Sequence, residues 1–438
     1  MLKKFIKNQP PARLITLGFG TVILIGSILL MLPCCLRSGV DLSYIDALYT
    51  STSAVCVTGL LPVDCASTFT PLGQFIIALL IQTGGLGVAS IGAGFIMLIG
   101  KKFDLKSRTL VKEAMNLGSG KGIAYFVRDV FITTIIIEFI GAVFSFFVFV
   151  KDFPWYKAMG VSAFHSVSAF NNAGFDVLGS GKWGPMVSLT PYQSNILLNI
   201  VTSALIILGG IGFLVIKEIT AKKFKWKKFS MHTKVVLTMS TFLIVFGTLL
   251  LKLTDDMSWL QAFFQSVSTR TAGFSTYNLG TVSTAGILIM SALMFVGASP
   301  GSTGGGIKTT TLFCVFQGIK SAATNKSEKA FHYSLPKDAF RKASIIFLLA
   351  LSVVFSSVVL FTILEPSIPL QDVIFEVISA IATVGLSTGI TPALGVGAKI
   401  LSIILMFIGR LGPLTIATLW YFSRGERVRY PEGNITIG

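Results

Sequence analysis

Four stretches of this chain end in the same way. SAVCVTG closes on Gly59, SAFNNAG on Gly174, VSTRTAG on Gly273 and SAIATVG on Gly385. None pairs a nucleophile with a base, and of the three histidines His165 falls in a short apolar segment while His232 and His332 fall in basic linkers, so they suggest no ligand set. What such segments can offer is main-chain oxygen. Glycine reaches positive φ freely, so the carbonyls of residues 56–59, 171–174, 270–273 and 382–385 can be turned to one side. Rings of carbonyls replace the water around a passing cation. The backbone does the coordinating, so Cys56, Asn171, Arg270 and Ala382 at the start of each stretch can differ. So can Val57-Thr58, Asn172-Ala173, Thr271-Ala272 and Thr383-Val384. Close-packed interhelical turns have a similar composition. Recurrence at four matching positions favours the ion-coordinating reading.

Irregular backbone of this kind is tolerated at membrane depth only inside protein or along a water-filled path, and the composition calls for a membrane. Of 438 residues, 53% are hydrophobic and 13% charged, with mean hydropathy +0.78, which describes a polytopic membrane protein. The net charge of +17 does not gather on one soluble module. Residues 1–14, 101–128, 217–234, 320–342 and 424–429 hold 27 of the 36 Lys and Arg, and the positive-inside rule puts both termini and three linkers in the cytoplasm. Acidic residues such as Asp41, Asp64, Asp176, Asp255 and Glu365 fall in the other connections, either as an outer mouth that concentrates cations or as ordinary solvated loops. The five cysteines are odd in number and lack metal-ligand spacing. An outer disulfide among Cys34, Cys35, Cys56 and Cys65 is the lesser reading. Lys3, Lys4 and Lys7 precede an apolar run too long for a signal peptide and without a cleavage site, so a retained first span is expected.

The copies lie 115, 99 and 112 residues apart, too far for a solenoid and right for multi-element modules. The expected fold is an all-α polytopic membrane protein with four span–pore-loop–span modules around a central pseudo-fourfold pore. The modules are 1–118, 119–228, 229–336 and 337–438, the third with a broken second span and the last with a cytoplasmic tail. Full spans are expected at 12–32 and 74–100, 124–150 and 195–219, 235–253 and 286–319, and 344–364 and 399–422. Apolar segments 44–54, 159–170, 259–268 and 370–381 are too short to cross and read as re-entrant half-helices. Their C-terminal carbonyls carry about half an electron charge, and four such ends meeting favour a cation.

Charges and glycines inside the second spans mark a second feature. Gly84-Gly85-Leu86-Gly87 and Gly209-Gly210-Ile211-Gly212 occupy equivalent places in the first two modules, where close helix contact is the plainer reading. The third has Gly297-Ala298-Ser299-Pro300-Gly301-Ser302-Thr303-Gly304-Gly305-Gly306-Ile307-Lys308, which cannot stay helical through Pro300. Ile307 spoils its likeness to a phosphate-binding loop, and no strand precedes it. The fourth has Gly409-Arg410-Leu411-Gly412. A charge at that depth marks a pathway by default. Arg410 is expected either to face the cavity and bond the 297–306 loop, or to pair with Glu138 or a backbone carbonyl. Arg270 should run behind its loop toward an outer acidic group. Asn171 and Asn172 should brace theirs by hydrogen bonds. Glu138 is left unexplained.

Val57-Thr58-Gly59, Thr269-Arg270-Thr271-Ala272-Gly273-Phe274, the glycine-rich break to Lys308, Arg410 and the four modules together resemble the Trk/Ktr/HKT superfamily of potassium transporters, nearest to its KtrB-type membrane subunits, over essentially the whole chain. The resemblance implies potassium uptake across the plasma membrane without enzymatic catalysis, a selectivity filter at the four glycine segments, and an intramembrane gate at 297–306 with Arg410 opposite. It also implies a homodimer and a cytosolic ring of KtrA-like nucleotide-binding subunits. K⁺ is the transported ion, with Na⁺ as a candidate activator and nucleotide on the partner only. In the superfamily, serine for the first filter glycine goes with sodium transport; here all four are glycine. Cys56 stands where threonine is common. A Na⁺-coupled or Na⁺-selective secondary transporter is the alternative.

Overall fold

The computed structural model describes residues 9–98, 109–112, 122–179 and 183–418. The C-terminal tail and most of the first basic linker lie outside the described residues. The first module holds α1 (Pro11–Leu30), α2 (Tyr44–Cys56), α3 (Pro71–Leu86) and α4 (Val88–Leu98). The second holds α5 (Ile123–Phe149), α6 (Trp155–Phe170), α7 (Ile196–Ile211) and α8 (Phe213–Lys222). The third holds α9 (Met231–Thr254), α10 (Trp259–Ser268), α11 (Thr284–Phe295) and α12 (Thr309–Thr324). The fourth holds α13 (Ala339–Leu364), α14 (Leu370–Ile381), α15 (Val396–Leu411) and α16 (Pro413–Thr418). A two-stranded hairpin, Lys329–Ala330 against Tyr333–Ser334, sits in the third linker. In each module a long helix is followed by a half-helix and then by a second span in two pieces.

Helices α1, α5, α9 and α13 are each long and apolar enough to cross a bilayer. Their outer faces carry exposed apolar side chains, such as Ile135, Ile136 and Phe139 on α5 and Leu348 and Phe355 on α13. The second spans depart from the sequence expectation. Only the third was expected to break, yet all four do. Gly87, Gly212 and Gly412 adopt φ of 83°, 93° and 90° and interrupt the helix at one residue. The bend between α7 and α8 reaches 100°. Glycine is required at Gly212 for a second reason, since a Cβ there would lie 2.6 Å from the Pro300 carbonyl oxygen. In the third module the break widens to residues 296–308.

The long helices hold the half-helices by one repeated contact. Gly26, Gly141 and Gly247 face Ser51, Ser166 and Ser266, and a Cβ at any of the three would sit 2.5 Å from the serine Oγ. Each hydroxyl donates to the carbonyl three residues before its glycine: Ser51 to Ile23 at 2.7 Å, Ser166 to Glu138 at 2.6 Å, Ser266 to Ile244 at 2.8 Å. Small residues let backbones approach closely, and each bond contributes about 1 kcal/mol net. Three of the four half-helices are thereby fixed in depth, and the ends of all four are the site.

Candidate functional site

The C-terminal ends of α2, α6, α10 and α14 converge, so that the four glycines meet one another in chain order. A Cβ on Gly59 would lie 2.6 Å from Ala173 O and 3.1 Å from Gly174 Cα. On Gly174 it would lie 2.8 Å from Ala272 O and 2.9 Å from Gly273 Cα. On Gly273 it would lie 2.5 Å from Val384 O, and on Gly385 it would overlap Thr58 O and lie 2.7 Å from Gly59 Cα. The circuit closes on itself. Above the ring opens a vestibule of about 570 Å³ lined by all four glycines and by residues just beyond them in the chain, among them Asp176, Ser275 and Ser387.

Each loop has the same backbone. φ is positive two residues before the glycine, at Val57 (57°), Asn172 (58°), Thr271 (75°) and Thr383 (51°), and again at the glycine, with negative values between. That alternation turns successive peptide planes the same way, so neighbouring carbonyls face one side. Non-glycine residues at positive φ cost of order 1–3 kcal/mol each and persist where the surroundings over-determine them. Here a serine does much of the holding. Gly59 N and Gly385 N donate to Ser53 Oγ and Ser379 Oγ, both at 3.0 Å, and Phe175 N donates to Ser168 Oγ at 2.9 Å. In the third loop Ser268 sits one residue later and instead donates to Phe274 O. These serines open three of the four motifs, but nothing in their type sets them apart from the other small residues. Asp46 and Lys399, paired at 2.7 Å, tie α2 to α15 and join the fourth module to the first.

In the first three stretches the leading residue points behind its loop, toward the second span of the neighbouring module. Asn171 fills the space beside Gly85, where any Cβ would overlap its amide. Arg270 lies beside Gly210, with Ile206, Ser240 and Ile244 around it. Cys56, small and buried, lies beside Arg410. Bulk on one side is matched by absence on the other. The expected acidic partner of Arg270 is not there: its Nε and Nη1 have no hydrogen-bond acceptor among the described residues. The loop directs it at α7 and α9, whose facing residues are apolar or hydroxylated, instead of at the outer connections.

Gly84, Gly209 and Gly409 admit the half-helix carbonyls of Val55, Phe170 and Ile381, which any Cβ would overlap. Close contact is therefore the role of these first glycines, and helix breaking that of the last.

The break at 296–308 runs beneath the ring, on the side away from the vestibule. Ser299 N donates to Gly210 O at 2.9 Å, Thr303 N to Gly209 O at 3.2 Å, and Thr303 Oγ1 to Phe170 O at 3.2 Å. A Cβ at Gly304 or Gly305 would overlap Thr271 or Thr383, and one at Gly306 would lie 3.2 Å from Ala382 O. Gly297 is closed over by Gly305, and Ala298 is fully buried. Pro300 and Gly301 turn against Gly212, and Phe213 N donates to Gly301 O at 3.0 Å. Ser302 Oγ is buried and has no hydrogen-bond partner among the described residues. Lys308 Nζ folds back onto Gly304 O (2.7 Å) and Gly305 O (3.3 Å). Arg410 donates through Nη1 to Thr303 O and through Nη2 to Gly84 O and, at 3.3 Å, to Gly85 O. It bonds the loop and backbone carbonyls together, and not Glu138.

The family model described as TrkH, cation transport protein, matches residues 15–424. The chain belongs to the TrkH family. It is 37% identical to the potassium/sodium uptake protein NtpJ of Enterococcus hirae, over 100% of this chain and 99% of that one. It is 36% identical to the Ktr system potassium uptake protein B of Bacillus subtilis, over 99% and 98%. The crystal structure of the potassium transporter TrkH from Vibrio parahaemolyticus is similar in fold, with TM-score 0.72 and 18% identity over 94% of this chain and 85% of that one. This TrkH-family chain is thus a multi-pass membrane protein of a transporter family, with four modules around one axis.

Proposed function

We propose that the chain takes up potassium across the plasma membrane through a channel-like pore, with the stretches 56–59, 171–174, 270–273 and 382–385 as its selectivity filter. The closed circuit of Gly59, Gly174, Gly273 and Gly385 carries this reading. Main-chain oxygens around it can replace hydration water, and four half-helix C-termini add negative potential. Relatives named as potassium uptake proteins support the ion. An inside-negative membrane supplies about 2.3 kcal/mol per charge per 100 mV, which concentrates K⁺ without chemical catalysis.

The 297–306 loop, Lys308 and Arg410 form the gate in this reading. The loop lies across the inner side of the ring and is held there by Arg410. The clustering of Lys and Arg in alternate connections supports cytoplasmic termini. The words "Ktr system" in the Bacillus name support a second component. We take it to be a cytosolic nucleotide-binding ring acting on a homodimer, with Na⁺ as activator. Uptake of K⁺ and Na⁺ in a host stripped of its own potassium systems, with and without such a partner, tests this. Saturable K⁺ uptake that Na⁺ does not replace is expected; indifference between the two ions refutes the filter. The name of the Enterococcus relative carries both ions and favours one second reading, Na⁺-coupled transport. Unitary current steps in a planar bilayer exclude it.

A further inference from the structure

Glu138 lies in the apolar middle of α5, between Ile137 and Phe139. An acidic or basic side chain at such depth is costly and calls for a named partner. Among the described residues no cation pairs with it, and both of its side-chain partners are amides, one at the start of the second loop and one on α3. Asn171 Nδ2 donates to Glu138 Oε1 at 3.0 Å, and Gln82 Nε2, from α3, donates to Oε2 at 3.3 Å. Asn171 Nδ2 also donates to Gln82 Oε1 at 2.8 Å and to Val167 O at 2.9 Å. Two amide protons thus serve three acceptors, one ionisable on α5, one on α3 and one on α6 itself, which pins this nitrogen where the three helices meet. On its other side the Asn171 amide abuts Gly85, which leaves it no room to retreat. The grip matters because Asn171 leads directly into the ring. Asn172 takes positive φ, and the carbonyls up to Gly174 belong to the ring. Among the described residues the other three loops have no such clamp: Cys56 and Ala382 carry no amide, and Arg270 meets no carboxylate.

We propose that Glu138, together with Gln82, is a positioning group that sets the carbonyls of the second loop and through them the ion discrimination of the ring. The inference rests on the ring being the filter. Carbonyl number, spacing and field strength decide which ion is preferred, so a loop released from its clamp loses discrimination before it loses throughput.

The test uses the full chain in a host without its own potassium uptake, measuring KM and Vmax for K⁺ and Na⁺. Glu138→Ala is expected to lower the K⁺/Na⁺ ratio of Vmax/KM about tenfold, the scale of one lost charge-assisted hydrogen bond, with Vmax for K⁺ changed less than about threefold. Glu138→Gln keeps an acceptor for Asn171 and gives a smaller loss. The double variant Glu138→Ala/Asn171→Ala is no worse than the worse single one, as expected for two ends of one interaction. Gly59→Ser is the control. If it shifts the ratio while neither Glu138 variant does at normal membrane levels, the positioning role is overturned and the filter stands. If none of the three shifts it, the filter assignment falls and takes the inference with it. Should Glu138→Ala fail to reach the membrane, Glu138→Gln decides.

Discussion

Arg410→Ala tests the inner loop most directly, because the geometry says how much of the arginine's bonding bears on opening. Of its three hydrogen bonds, two go to Gly84 O and Gly85 O on α3, and only the bond to Thr303 O reaches the loop. If the loop swings away while Arg410 and α3 stay in place, the Thr303 bond is the one of the three that weights the covered state. A hydrogen bond from a charged group contributes about 1.5–3 kcal/mol. Losing it raises the open-to-covered ratio about 10- to 100-fold. Removing the positive charge from beneath the ring also removes a barrier to cations, so both effects have the same sign. The assay is the initial rate of K⁺ uptake at saturating K⁺, normalised to protein in the membrane, with and without the cytosolic partner. The rate should rise and its dependence on the partner should shrink. Arg410→Lys, with a single ammonium that cannot fork to Thr303 and α3 together, should fall between. A well-folded Arg410→Ala protein with unchanged or lower Vmax would refute the role of the Thr303 bond as a latch.

Gly59→Ser places a Cβ 2.6 Å from Ala173 O at φ 98°, so the first and second loops must part; the K⁺/Na⁺ uptake ratio should fall at least about tenfold, the weight of one misplaced oxygen. Deleting residues 301–305 removes the segment packed against Gly212, Thr271 and Thr383; flux should rise and regulation loosen, and a folded but inactive protein would count against a gate there. Gly409→Ala drives a methyl into the Ile381 carbonyl; overpacking costs about 1–3 kcal/mol or more, visible as a lower unfolding temperature in detergent, and an unchanged one would mean that α15 can withdraw freely.

The parts legible in the sequence are those where chemistry repeats. Gly59, Gly174, Gly273 and Gly385 stand out because four turns need the same backbone, and the half-helices because segments that form helices of only 10 to 16 residues cannot span a bilayer. The breaks at Gly87, Gly212 and Gly412 are not legible, because one glycine in an apolar run fits a straight packed helix as well as a sharp bend. Only a contact such as Gly212 against Pro300 separates the two. Arg270 runs behind its loop as expected, but its acidic partner is misread for a similar reason: sequence gives a side chain's type, whereas what it meets depends on the loop's φ values. Glu138 can be flagged as costly, but its partners lie 56 and 33 residues away, and no local pattern joins them.

The trade of bulk across module borders, Asn171 beside Gly85, Arg270 beside Gly210 and Cys56 beside Arg410, has a consequence for inheritance. Each corner is a lock whose key is cut on the next repeat. A repeat copied over its neighbour would arrive with the wrong tooth facing the wrong groove, two arginines colliding at one joint and a hole at another. The four quarters, though built to one plan, cannot be shuffled, and change at any of these three seams must come in couples.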